Sequence, residues 1–571
     1  MNREVDLEYQ SRKAAVVNNN GFTVGDYVLK RLAEVGVRHL FGVPGDYNLA
    51  FLDHVLTSNI TWVGNCNELN AAYSADGYAR INGIGAVLTT FGVGELSAAN
   101  GIAGAYAEYV PVVHVVGGPS SRDRQERALK HHTLGDGDYT HFQRAASEFT
   151  VAQAYPTAEY APAEIDRVIG AVLRDRRPGY IVLPTDVAAS PVDPPAAPLV
   201  IPQPQMSEHA RADFAADARR MLQAAGSVTV LADFLAARFD VRSQLRKLLD
   251  AGSLPFATLA MGKGVLDETD PRFVGVYGGR ASTESVLKAV EEADVLIGAG
   301  VRFTDDITAG FSQKIRPDRY IDLQPFEARI DDRHYGPLPL GAALDALTSV
   351  IQELGRNWPQ EYPAEPERSP GSHPQLHQEQ LWSQIQDFLQ PDDIIVAEQG
   401  TSFFGAAPLR LPAGVTFIGQ PLWASIGYTL PAAYGAQTAA TGRRVLLFIG
   451  DGSSMLTAQE MGSMIRDGLH PVIFLLNNDG YTVERVIHGA TQRYNDIAHW
   501  DWSLLPKALG ADDRAVTLRA TTAAELRESL QSAAAASNRL VLLEATLPAL
   551  DSPPLLDADT RAIIADNTAG Y

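Results

Sequence analysis

The chain has 571 residues, 46% of them hydrophobic and 20% charged, which is material for roughly three or four ordinary cores and excludes a disordered chain. A formal net charge of −21 with no basic block excludes nucleic acid as a natural partner, since phosphates would be repelled. The single cysteine, Cys66, excludes intramolecular disulfides and cysteine-cluster metal sites and suits a cytoplasmic protein, and no apolar run reaches the roughly 18–20 residues of a membrane span. Met1–Asn20 is polar, lacks the plan of a signal peptide and reads as a loose tail. Thr23 caps a helix whose apolar positions are Val24, Tyr27, Val28, Leu32 and Val35, and Gly36 ends it. His39–Val43 is a short apolar run closed by Pro44-Gly45. Compact strands follow at Thr61–Gly64, Ala86–Thr90, Val112–Val116 and Tyr180–Leu183, then at Val228–Leu231 and Val295–Ala299, and finally at Ile394–Ala397, Val445–Ile449 and Val472–Leu476. Proline density marks Pro191–Gln205 and Arg356–Pro374 as linkers. Cutting there leaves a tail (1–21) and three pieces of similar size, 22–190, 206–355 and 375–571. Short apolar strands separated by amphipathic helices predict the α/β class: three doubly wound domains with mostly parallel sheets, binding ligands beyond the carboxyl ends of strands.

The most informative segment begins at Val445. A buried strand runs into Gly450-Asp451-Gly452-Ser453-Ser454, and an amphipathic helix then extends to about Ile465. Glycines let the backbone approach a phosphate closely, and a helix N-terminus supplies free N–H groups and positive dipole. Ser453 and Ser454 add hydroxyls, and Asp451 at the strand end can hold a divalent cation. The next strand ends in Asn477-Asn478, with Asn477 lying 27 residues beyond Gly450, and Asp479-Gly480 follows. Adjacent parallel strands would set Asp451 and Asn478 side by side at one sheet edge. A carboxylate, an amide oxygen and a carbonyl near Gly480, with two diphosphate oxygens and a water, complete an octahedron for magnesium. Gly135-Asp136-Gly137-Asp138 repeats the letters with no strand before it and no Asn pair after it, and reads as a turn.

The order strand, Gly450-Asp451-Gly452-Ser453, helix, strand, Asn477-Asn478 resembles the diphosphate-binding signature of thiamine-diphosphate-dependent enzymes. Further segments resemble one branch, the 2-oxo acid decarboxylases, and most nearly those acting on branched-chain acids, indolepyruvate and phenylpyruvate. These are Phe41–Leu49, Asn67-Glu68-Leu69-Asn70, His131-His132, Glu398–Phe404, Gly419–Gly427 and Asn477–His488. The resemblance implies a lyase that splits a 2-oxo acid into aldehyde and CO2, using thiamine diphosphate and Mg2+. It makes 22–190 the pyrimidine-binding domain and 375–571 the diphosphate-binding domain. Glu68, at the start of a helix, would activate the cofactor by exchanging a proton with its aminopyrimidine. Asp46, His131 and His132 would form an acid–base relay, and Glu484 would stand near the substrate carboxylate. Gly450, Asp451, Gly452, Ser453, Asn478 and Gly480 would hold the diphosphate, with Asp451, Asn478 and Gly480 on the metal. Thr401 and Ser425 match positions beside the diphosphate, and Ile426 matches the residue that props the cofactor in a bent conformation. Gln399, Phe403, Phe404 and Val483 match the substrate pocket. Pyruvate specialists carry a larger tryptophan at the Phe403 position, so the sequence implies a preference for long, branched or aromatic acids. The resemblance also implies an obligate homodimer with shared active sites, paired again into a tetramer.

Competing readings remain. Gly92-Val93-Gly94 with Ala98 follows a strand and can pass for a dinucleotide loop, although Glu108 is a poor match for the expected acidic residue. A pyruvate decarboxylase or a carboligase of the acetolactate synthase type is a closer rival, and a non-catalytic scaffold is a third class. Taken without the resemblance, Glu68 is a first-turn helix charge, Asp46 a turn-former, the two histidines surface residues and the two phenylalanines ordinary core.

Overall fold

A computed structural model describes residues 21–362 and 370–569. The expected tail at 1–20, and Pro363 and Pro366 of the second proline-rich stretch, lie outside the described residues. The chain forms two compact units. One comprises the chain up to Gln203 together with Pro431–Ala440, and the other comprises Pro204–Leu430 and the chain from Thr441 onward.

The first unit holds one sheet of β1 (His39–Gly42), β2 (Thr61–Gly64), β3 (Gly85–Thr90), β4 (Val112–Gly118), β5 (Gln153–Ala154) and β6 (Gly179–Pro184), in the order β2-β1-β3-β4-β6-β5. Every neighbour pair in it is parallel. The second unit holds two sheets. One runs β13-β12-β11-β10-β7-β8-β9, from β7 (Val228–Ala232), β8 (Phe256–Thr258), β9 (Phe273–Val276), β10 (Val295–Ala299), β11 (Tyr320–Leu323), β12 (Ala328–Ile330) and β13 (Arg333–Tyr335). It is parallel except at β11-β12-β13, which pair antiparallel. The other is all parallel, in the order β15-β14-β16-β17-β19-β18, from β14 (Ile394–Ala397), β15 (Thr416–Ile418), β16 (Val445–Gly450), β17 (Val472–Asn477), β18 (Ala515–Ala520) and β19 (Leu540–Thr546). The expected α/β class with three mostly parallel sheets is what the chain adopts.

The local rules explain these elements. Val445–Ile449 and Val472–Leu476 are buried throughout, because helices cover both faces of a parallel sheet and leave no side for polar residues. The helix Val24–Glu34 opens with a capping box, in which the Thr23 side chain accepts from the Asp26 amide at 3.3 Å and Asp26 accepts from the Thr23 amide at 2.9 Å. Its buried stripe contains the predicted Val24, Tyr27, Val28 and Leu32. One expectation is corrected in detail. The stretch after Gly450 is two helices, Asp451–Thr457 and Glu460–Arg466, rather than one. The amides of Met461 and Gly462 reach back three residues, to the carbonyls of Ala458 (3.2 Å) and Gln459 (3.0 Å), so the turn tightens there and the axis breaks.

Candidate active site

Three candidate residues meet in the first unit. Asp46 sits in the turn after β1, which the Asn48 side chain closes by accepting from the Gly45 amide (2.9 Å) and donating to the Val43 carbonyl (3.1 Å). His131 Nε2 lies 2.6 Å from Asp46 Oδ2, and His132 Nδ1 lies 3.9 Å from Asp46 Oδ1. Neighbouring residues in a regular helix or strand cannot turn their side chains onto one target. Here His132 adopts a left-handed φ of 62°, which brings the two imidazoles to 4.7 Å between ring centroids. The Tyr47 ring stacks on His131 at 5.0 Å, and its hydroxyl faces His131 Nδ1 at 3.5 Å. The strained turn needs close backbone approach: a Cβ on Gly92 would fall 1.9 Å from the His132 carbonyl oxygen.

Glu68 is the first residue of the helix Glu68–Asn82, whose N-cap Asn67 accepts from the Asn70 amide at 2.8 Å. Its carboxyl reaches the next glycine turn, where a Cβ on Gly94 would stand 3.2 Å from Glu68 Oε1. That turn speaks against the dinucleotide reading. Glu95 folds its own carboxylate back onto the Gly92 amide (2.7 Å) and also accepts from Tyr180 Oη (2.5 Å), so the helix N-terminus already faces an internal acid.

In the second unit the ends of β16 and β17 lie side by side, as Leu476 pairs with Gly450. Asp451 follows β16 and is buried. Its Oδ1 accepts from the Gly452 amide (2.8 Å) and its Oδ2 from the Gly480 amide (3.1 Å). Burial pushes its carboxyl up to about 6, against the lowering effect of these amides. One terminal atom of the Asn478 side-chain amide stands 3.3 Å from Asp451 Oδ1 and 2.9 Å from the Gly480 carbonyl oxygen, and the other stands 2.9 Å from Thr482 Oγ1. With its oxygen inward, three oxygens face one another with no hydrogen between them, which is the donor set of a hard cation. With its nitrogen inward, the amide bridges the other two. Gly480 has a φ of 124°, which the turn requires. Gly452 lies under the Tyr481 ring, where a Cβ would meet Cε1 at 2.5 Å. Ser453 is buried, and the buried Ser454 Oγ has no hydrogen-bond partner.

The remaining candidates also belong to the second unit. Thr401 is buried at the start of the helix Thr401–Ala406, Ser425 is half-buried, and Ile426 is 37% exposed, more than a core isoleucine would be. Sequence reasoning missed the residue that holds this loop. Glu398, wholly buried after β14, accepts through Oε2 from Thr429 Oγ1 (2.6 Å) and from the amides of Thr429 and Gly427 (3.2 Å each). Burial raises its carboxyl to about 7 despite these donors. Its place in the Glu398–Phe404 segment was the only signal. Gln399 donates to Asp306 at 2.7 Å, and its Oε1 is buried with no hydrogen-bond partner. Phe403 and Phe404 are embedded in the core, with Phe403 5.9 Å from the Phe417 ring, while Val483 is half-buried against that core. A Cβ on Gly400 would meet Val483 Cγ2 at 3.3 Å, so Gly400 and Val483 adjoin. Glu484 is exposed on the helix Thr482–His488.

The sequence matches three domain models of one family: the thiamine pyrophosphate enzyme N-terminal TPP binding domain over residues 22–141, the central domain over 215–354 and the C-terminal TPP binding domain over 400–545. The chain belongs to the thiamine pyrophosphate enzyme family. Among family members, a protein of Mycobacterium ulcerans described as alpha-keto-acid decarboxylase is 51% identical over 94% of this chain and 95% of its own. Its counterpart in Mycobacterium leprae is 51% identical over 95% of both chains. The one in Mycobacterium tuberculosis strain H37Rv is 50% identical over 95% of this chain and 98% of its own. The fold is that of a solved thiamine diphosphate-dependent 4-hydroxybenzoylformate decarboxylase from Rhodococcus jostii, with a TM-score of 0.75 at 21% identity over 92% of this chain and 99% of that one. The residues of this family member fit a diphosphate carrying a cation when the Asn478 amide turns its oxygen inward to join the Asp451 carboxylate and the Gly480 carbonyl, with an unpartnered hydroxyl at Ser454 and glycines where a side chain would intrude.

Proposed function

We propose that the protein decarboxylates 2-oxo acids non-oxidatively to aldehyde and CO2, using thiamine diphosphate and Mg2+, and prefers long, branched or aromatic acids. The observation that carries this reading is identity of about half, over nearly the whole length, with three proteins described as alpha-keto-acid decarboxylases. Thiamine diphosphate supplies, when bound, the electron sink that a 2-oxo acid lacks as CO2 departs. In this reading the Asp451 carboxylate, the Asn478 amide oxygen and the Gly480 carbonyl hold Mg2+. Gly450, Gly452 and Ser453 would line the diphosphate, with Thr401 and Ser425 beside it, and Ile426 would support the cofactor. Glu68 takes up and returns a proton at its carboxyl. Asp46 orients His131 through Nε2, as the 2.6 Å contact supports, and so fixes the tautomer that leaves Nδ1 toward Tyr47. His132 Nδ1, which has no hydrogen-bond partner, is free to give or accept a proton as the aldehyde forms. Glu484 faces the substrate carboxylate. Gln399, Phe403, Phe404 and Val483 bound the acyl chain, where each methylene that fits adds around 1 kcal/mol of binding.

This reading divides the chain into domains 22–190, 206–355 and 375–571, and makes the enzyme a cytoplasmic homodimer, paired into a tetramer, whose sites are shared between chains. Stripped protein reloaded with thiamine diphosphate and Mg2+, assayed on a panel of 2-oxo acids by coupled aldehyde reduction, tests it. Phenylpyruvate and branched acids are expected to show higher kcat/KM than pyruvate. A clear preference for pyruvate would overturn the substrate reading, and a condensed acid in place of aldehyde would favour a carboligase.

A further inference from the structure

Asp46, His131 and His132 offer three ligand atoms that all lie within 4.8 Å of one another. We infer that this cluster binds a divalent transition cation such as Zn2+, at a site separate from the oxygen-lined Asp451 set, and that its occupation silences the acid–base relay. Two imidazole nitrogens and one carboxylate oxygen are the borderline-soft ligands that zinc, cobalt and nickel select, whereas magnesium takes oxygens. The distances allow it. With metal–ligand bonds of about 2.0–2.1 Å, ligand atoms in a tetrahedral site stand roughly 3.3 Å apart. The 2.6 Å contact between His131 Nε2 and Asp46 Oδ2 must open, and the 3.9 Å gap between His132 Nδ1 and Asp46 Oδ1 must close, each by well under about 1 Å. Water completes the set on the exposed side.

Two observations beyond proximity support a ligand here. His132 Nδ1 is buried and has no hydrogen-bond partner, so a cation supplies the missing one. Tyr47 stacks on His131 and turns its hydroxyl to the other ring nitrogen, at 3.5 Å, which is the outer-shell contact that orients a metal-binding imidazole. Coordination at His131 Nε2 moves that ring's proton from Nε2, where it bonds Asp46, to Nδ1, where it faces Tyr47, and it takes the lone pair of His132 Nδ1 that proton transfer needs, so a bound cation and a working relay exclude each other. The silencing half of the proposal rests on the relay reading, and the binding half stands on geometry alone.

The test uses holoenzyme loaded with thiamine diphosphate and excess Mg2+, titrated with Co2+. A four- or five-coordinate cobalt site gives visible absorption many-fold stronger than an octahedral one. The expected result is one strongly absorbing cobalt per chain, displaced by Zn2+ and lost in His132→Ala and in Asp46→Ala. The signal should persist in His373→Ala, which removes a second close imidazole pair among the described residues, His373–His377, with rings 4.1 Å apart. Should Asp46→Ala not fold, His132→Ala carries the test. A weak octahedral band, a strong band that survives His132→Ala, or one lost with His373→Ala would overturn the site. Zn2+ is expected to stop aldehyde formation and to be unrelieved by tenfold more Mg2+. Full turnover with the site occupied would overturn the silencing. A protein that makes no aldehyde under any condition would sink the decarboxylase reading, while the cobalt spectrum would still decide the site.

Discussion

At the scale of single residues, the candidates divide by how far their chemistry depends on neighbours in sequence. Asp451 was legible because strand, turn and helix succeed one another along the chain, and the Asn478 amide at the end of the neighbouring strand then falls 3.3 Å from Asp451 Oδ1, as adjacent parallel strands require. The convergence of His131 and His132 was not, because it depends on a left-handed φ of 62° at a non-glycine residue, which no pattern of side-chain types announces. Glu398 was hidden for a third reason: a glutamate at a strand end normally faces water, and only tertiary structure makes this one the anchor of the Gly427–Thr429 turn. Glu68→Gln is expected to cut kcat by at least about a hundredfold, the usual size of a general acid–base contribution. Diphosphate affinity, measured by calorimetry, should move little, and wild-type turnover would reject the assignment. Glu398 is expected to shape the pH profile of stability. Its folded pKa of about 7 stands above an ordinary glutamate's, so burial disfavours its charged form. The stability present below about pH 4.5 is then lost progressively as pH rises through 7. Glu398→Gln, which keeps an acceptor for Thr429, removes that loss. The difference in Tm, variant minus wild type, should be near its minimum at about pH 4.5, grow toward 7 and level off above it. A difference independent of pH would show that hydrogen bonding, not ionisation, dominates at this residue.

Elements were easiest to read where burial is uniform. Val295–Ala299 and Ile394–Ala397 were located to the residue because a strand covered on both faces has no polar positions to blur it. The antiparallel end of the middle sheet, Ala328–Ile330 and Arg333–Tyr335, escaped notice because three-residue strands with exposed Arg329, Arg333 and His334 carry no periodic signal. Nor could composition tell that Pro431–Ala440 groups with the first unit. There a Cβ on Gly435 would stand 1.8 Å from the Ser74 carbonyl oxygen, and one on Gly77 would stand 2.1 Å from that of Ala432, so two helices meet backbone to backbone through glycines. Between elements of the second unit, Lys263 and Glu268 form an ion pair whose side chains are both fully buried. Lys263 also donates to the Leu409 carbonyl (2.7 Å), and Glu268 accepts from the Leu411 amide (3.0 Å), so one charged pair ties the 263–268 loop to the 409–411 turn. Lys263→Met leaves a carboxylate buried without its partner and is expected to cost about 3–5 kcal/mol in urea unfolding. Adding Glu268→Leu should restore part of that loss, but not all, because the Leu411 amide is then left unpaired. Equal costs for the single and the double variant would show that the pairing is not what stabilises the contact.

Across the whole molecule the question is where one site finds its parts. Glu68 lies in the first unit and Asp451 in the second, and the proposed homodimer sets Glu68 of one chain against the diphosphate held by the other. That arrangement has an arithmetic consequence. Glu68→Gln and Asp451→Asn are each expected to be inactive alone. When the two variants are unfolded, mixed in equal amounts and refolded, half of the dimers formed at random pair one chain of each kind. In such a hybrid, one site receives both substitutions. The other receives Glu68 from the Asp451→Asn chain and Asp451 from the Glu68→Gln chain, and is intact. Activity should therefore return to roughly one quarter of that of wild-type protein carried through the same refolding. If each chain builds its site from its own Glu68 and its own Asp451, no mixture can contain an intact site and none should recover. Circular dichroism of each refolded variant completes the test, since native-like spectra without recovery point to a site built within one chain and lost ellipticity points to misfolding.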